Sequence, residues 1–137
     1  MLKEFKVDTE NLKSKLFFDE KDLIKLDGLG HVIGLHSHNH PTKIENLSYN
    51  EQKIEYSTNL NNLIKILKKS SNFIKFSSHP CGSYNKNSLK VLKELGVDIA
   101  FKDSMTVDYE MGMNSINNSS LEIARQDHME IYKMMNK

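Results

Sequence analysis

The chain has 137 residues, with 19 Lys and Arg against 18 Asp and Glu for a formal charge of +1, and so lacks the basic surface that binding a nucleic-acid backbone requires. No apolar run nears the roughly 18 residues that span a bilayer, and the lone Cys81 excludes an internal disulfide and a cysteine-based structural zinc site. A chain of this size fits one domain that buries roughly two-thirds of its unfolded surface, and no repeat or linker divides residues 1–137. The N-terminal Met1-Leu2-Lys3-Glu4-Phe5-Lys6 lacks a signal-peptide apolar core, which places the chain as written in the cytoplasm.

In chain order, Asp19 before Lys21-Asp22-Leu23-Ile24-Lys25-Leu26 predicts a short capped helix that stops at Gly28 or Gly30. His31-Val32-Ile33-Gly34-Leu35-His36 is apolar, β-branched and bounded by turn residues, as a buried strand is. Ser48 and Glu51 form a capping box for a helix over 48–69, with Ile54, Leu60, Leu63, Ile64 and Leu67 at helical spacing. A strand over 72–76, a helix over 88–95 stopped by Gly96, and a strand over 97–101 follow, and Asp127 is placed to cap a last helix through Met134. Strands alternating with helices predict an α/β fold with a mainly parallel sheet.

Three of the six histidines, His36, His38 and His40, lie within five residues. One helical turn would put His36 and His40 on one face, a spacing that suits a divalent metal such as zinc. An extended segment would put all three on one face, and histidines clustered in a loop can also be mere polar decoration. The cluster directly follows a predicted strand, where parallel α/β folds place their functional loops. His31 reads as structural. His79 sits in a second loop after a strand and is a candidate for the site wall. Cys81 is read as a soft ligand, a reactive thiol or a small buried residue, and His128 lies beside Arg125 and Asp127.

These residues resemble the polysaccharide deacetylases, the NodB-homology or carbohydrate esterase family 4 group. Gly30-His31-Val32-Ile33-Gly34-Leu35-His36-Ser37-His38-Asn39-His40-Pro41 is similar to that family's His-Ser/Thr-x-x-His-Pro motif in its Gly-His-x-Ile-Gly context. Phe76-Ser77-Ser78-His79-Pro80-Cys81-Gly82-Ser83-Tyr84-Asn85 resembles the Phe-Ala-Tyr-Pro-Tyr-Gly-Ser-Tyr-Asn motif of one branch, and Ile123-Ala124-Arg125-Gln126-Asp127 resembles its Pro-Arg-Ile-Asp close. The resemblance implies a (β/α) barrel and hydrolysis of N- or O-acetyl groups on a glycan through a divalent metal, zinc first among the choices. It makes His36 and His40 the metal ligands and Pro80, Cys81 and Gly82 a loop beside the substrate.

The family's Thr-Phe-Asp-Asp-Gly motif, which supplies the base and a metal-binding carboxylate, is absent, and Phe17-Phe18-Asp19-Glu20 stands too close to the histidines to replace it. Ser78 stands where Arg is frequent and Cys81 where Tyr is usual. The expectation is therefore a single, N-terminally truncated domain, a partial (β/α) barrel lacking its first strands. An upstream polypeptide or self-association would cover its open sheet edge. Asp103, Asp108, His79 and His128 are candidates for a third ligand, and His79 and His128 are general-acid candidates by chemistry alone. The alternative expectation is a catalytically dead subunit that binds glycan or serves assembly.

Overall fold

The computed structural model describes residues 8, 9, 12, 16–103, 119–125 and 128–136. Its helices start where a short polar side chain catches the amides that a first turn leaves unpaired. Asp19 Oδ1 accepts from the amides of Lys21 (2.8 Å) and Asp22 (3.0 Å). These bonds open α1 (Glu20–Gly28), and Asp22 reciprocates on the Asp19 amide. Ser48 and Glu51 exchange the same bonds at the head of α2 (Tyr49–Leu67). Asn85 and Ser88 do so for α3 (Lys86–Glu94). Each cap stabilises its helix by about 1 kcal/mol. A last helix, α4, covers His128–Met135. The predicted cap Asp127 lies outside the described residues.

Two short strands, β1 (Phe76–Ser78) and β2 (Ile99–Phe101), pair in parallel with Ser77 opposite Ala100. Leu35 extends the sheet by a parallel bridge to Ser77, and Ile123 does so by one to Phe101. The spatial order is therefore Leu35, β1, β2, Ile123, with α2 and α3 as the first two crossovers, as parallel neighbours require. Gly34 makes the first pairing close enough, because a β-carbon there would lie 2.8 Å from the Phe76 carbonyl oxygen.

Alternation along the strands assigns their two faces. Leu35, Ser77 and Ala100 are buried, and Leu35 and Ala100 join the core that α2 and α3 close with Tyr56, Leu60, Leu63, Leu67, Val91 and Leu92. Gln52 is also fully buried on that face of α2, with its amide donating to the Leu47 carbonyl (2.8 Å) and its carbonyl accepting from Ser88 Oγ (2.6 Å). On the other face, Val32, Gly34, His36, Phe76, Ser78 and Phe101 line an open groove of about 430 Å³.

Several sequence expectations shift. The strand expected over 72–76 begins as a 3-10 turn, Ser71–Phe73, and extended pairing starts only at Phe76. Ile74 is buried through that turn rather than through a strand. Over 31–36 only Leu35 pairs, and Val32 is 67% exposed rather than buried. His31 is exposed, and its amide closes the end of α1 on the Leu26 carbonyl (3.1 Å). Ile54, expected in the core, is 63% exposed, since the buried stripe of α2 runs through Gln52, Tyr56 and Leu60. No described helix is long and apolar enough to cross a membrane.

Candidate metal centre

After Leu35 the chain leaves the sheet in a loop that is neither helical nor extended. Ser37 (φ +64°) and His40 (φ +52°) both adopt left-handed backbone. That conformation costs a residue with a β-carbon roughly 1–2 kcal/mol, and the residue before a proline is ordinarily pushed toward extended backbone. Both geometries expected for the histidine cluster are thereby replaced, yet the strained loop brings His36 and His40 together. Their Nε2 atoms are 3.1 Å apart, with ring centroids separated by 4.8 Å and tilted by 57°. His38 is exposed and joins the loop through its backbone, donating its amide to Glu55 Oε2 (3.0 Å).

His36 Nδ1 lies 2.8 Å from the Ser78 carbonyl oxygen. A carbonyl only accepts, so Nδ1 carries a hydrogen, and in the neutral ring Nε2 is the lone-pair nitrogen facing His40. An Nδ1–H held by a backbone carbonyl is the arrangement that orients metal-binding histidines and raises their basicity. Nitrogen–zinc bonds of about 2.0–2.1 Å span the 3.1 Å gap at roughly 100°, between tetrahedral and octahedral values. The pair fits two corners of a divalent-metal site. Among the described residues no group of three or more His, Cys, Asp or Glu is gathered at one point.

The second loop is built differently. His79 is 1% exposed, its Nε2–H donates to the Leu121 carbonyl (2.8 Å), and its ring stacks on Tyr84 at 4.2 Å and 17°. Tyr84 donates in turn to Glu122 Oε1 (3.0 Å). Burial lowers the His79 pKa below its ordinary value against the opposing pull of the Leu121 bond and Glu122. Burial, and then the bond to Glu122, push the Tyr84 hydroxyl up to about 12. The 3-10 turn Pro80–Gly82 follows. Cys81 is exposed with φ +51°, contrary to its reading as a small buried residue. Gly82 has φ +66°, and the Asp103 carboxylate fills the place where its β-carbon would stand.

Of the third-ligand candidates, Asp103 is thus packed on Gly82 and His79 is turned onto Leu121. Asp108 and the side chain of His128 lie outside the described residues. Asp19 spends its carboxylate on the cap of α1. Sequence reasoning missed Glu55, Asn59, Tyr84 and Glu122. Glu55 and Asn59 carry one usable signal, a four-residue spacing that puts both on one face of a confidently predicted helix.

A comparison with curated proteins finds no match. Among solved structures, the chain superposes on the Streptococcus pyogenes deacetylase PplD in complex with acetate (TM-score 0.66, 20% identity, 87% of this chain and 50% of that one). It also superposes on the deacetylase domain of BpsB from Bordetella bronchiseptica (TM-score 0.60, 14% identity, 80% and 48%). It spans about half the length of these structures, and at such identities the likeness is one of fold. The polysaccharide deacetylase family model matches residues 5–100, a span that holds both the histidine loop and the His79 loop. On that match, the chain belongs to the polysaccharide deacetylase family.

Proposed function

We propose that this deacetylase-family domain holds a divalent metal, zinc by preference, on His36 and His40, and takes part in hydrolysis of N- or O-acetyl groups on a glycan. The observation that carries the reading is the facing pair of Nε2 atoms at 3.1 Å, with the His36 tautomer set by the Ser78 carbonyl. A divalent ion held there would supply Lewis acidity toward an acetyl carbonyl and toward water. The chain's own residues would do the rest. Ser78 fixes the plane of the His36 ring, the left-handed turns at Ser37 and His40 aim the two rings at one point, and the groove beside His36 offers apolar walls from Val32, Phe76 and Phe101.

The same reading makes residues 1–137 part of a (β/α) barrel whose remaining carboxylate comes from an upstream polypeptide seated along the groove. Its support is the open groove, which His36 helps to line. Metal analysis of the purified chain tests the proposal. About one zinc per chain, lost in the His36→Ala/His40→Ala double variant, is the expected result. Metal-free protein whose melting curve is unchanged by added zinc would overturn it. Binding of an N-acetylglucosamine oligomer that ignores chelators, without acetate release, would select the glycan-binding subunit instead.

A further inference from the structure

Helix α2 reaches the histidine loop with two half-buried side chains one turn apart, Glu55 and Asn59. Asn59 Oδ1 accepts the His36 amide (3.0 Å). Glu55 Oε2 accepts the amides of His38 (3.0 Å) and Asn39 (2.8 Å), and Oε1 accepts from Asn39 Nδ2 (2.7 Å). These bonds fall on either side of Ser37 and immediately before His40, the two residues with left-handed backbone. A loop with two such residues needs outside bonds to stay in one conformation, and among the described residues the hydrogen bonds to the backbone amides of 36, 38 and 39 come from these two side chains.

We propose that Glu55 and Asn59 are positioning residues for the His36–His40 pair. Through three backbone amides they hold the strained loop in the one conformation that brings the two Nε2 atoms together, and so set the affinity of the site for a divalent metal. The metal part rests on the function proposed above, whereas the pairing of the rings does not. Burial tends to raise the Glu55 pKa, but the bonds from Asn39 and His38 outweigh it and leave the carboxyl below its ordinary value. That is the behaviour of a carboxylate engaged by donors rather than one facing solvent.

The test compares wild type with Glu55→Ala, Glu55→Gln, Asn59→Ala and a control, Lys53→Ala. The control, on the same helix as Glu55, removes an ion pair with Glu94 of α3. Cobalt(II) titration reads affinity and coordination spectrum, and nitrogen NMR of the metal-free protein reads the His36 tautomer and the coupling between the facing imidazole nitrogens. Glu55→Ala is expected to weaken cobalt binding roughly 10–100-fold, the usual range for losing a group that orients a ligand. Glu55→Gln keeps an oxygen for the two amides and an NH2 for a turned Asn39, so it is expected to restore affinity to within about threefold of wild type. Asn59→Ala should fall between them and Lys53→Ala should match wild type.

Folded Glu55→Ala protein that binds cobalt as wild type does, with its imidazole coupling intact, would overturn the proposal. If wild type binds no cobalt, the coupling still decides. Its loss in Glu55→Ala alone upholds the positioning role and refutes the metal reading, whereas its persistence refutes both.

Discussion

The two loops that leave the same end of the sheet use histidine in opposite ways. In the loop after Leu35, His36 and His40 are exposed and turn their Nε2 atoms on each other, while polar side chains of α2 hold the backbone. In the loop after β1, His79 is buried, stacked on Tyr84 and bonded to the Leu121 carbonyl. The first arrangement spends the His36 Nε2 lone pair only on the neighbouring ring, His40 Nε2–H donating to it, a bond that a ligand can replace, at the cost of backbone strain. The second commits the ring to packing. Residue type and position in the fold are shared, so burial and the partner of one ring nitrogen decide which chemistry each histidine can perform.

The comparison breaks most visibly if the buried histidine proves dispensable. His79→Ala removes a stacked ring and leaves the Leu121 carbonyl without its donor. It should destabilise the fold by about 2–4 kcal/mol in urea denaturation. Next, Gly82→Ala puts a β-carbon where the Asp103 carboxylate lies, at a φ that only glycine adopts freely. A loss of roughly 1–3 kcal/mol is expected, read as a lower denaturation midpoint.

The pH dependence sharpens the contrast further. Because burial lowers the His79 pKa in the folded state, its stabilising contribution is complete above the ordinary histidine pKa of about 6.5. As pH falls below that value the unfolded chain takes up a proton that the folded state resists, and stability declines toward the lowered folded pKa. His79→Phe should flatten this part of the profile. The smallest effect belongs to the exposed ring. His36→Ala in metal-free protein should change stability by no more than about 0.5 kcal/mol, so a much larger loss would mean that the pair is structural after all.

Much of the fold was legible where the signal was local. The Ser48/Glu51 box and the spacing of Leu60, Leu63 and Leu67 located α2 to within two residues at its end, and the Asp19 cap located α1. The strand at 76–78 was displaced because Ile74 looks like strand core, while Ser70-Ser71-Asn72 favours a turn and the paired Ser77 and Ser78 carry no apolar pattern. The histidine pair was legible from its spacing, but its geometry was not. Positive φ at Ser37 and His40 is set by bonds to Glu55 and Asn59, which are distant in sequence and look like an ordinary solvated helix face. The Tyr84–Glu122 bond, 38 residues apart, left no local trace.

On the function proposed for the loop, His36 Nε2 and His40 Nε2 face one cation. Anomalous diffraction at the zinc edge, from crystals of the zinc-loaded chain, tests it most directly. One peak at about 2.0–2.1 Å from both nitrogens is expected, with His36 Nδ1 still on the Ser78 carbonyl. Zinc bound elsewhere, at Cys81 or His79, with the two imidazoles left empty, would contradict it.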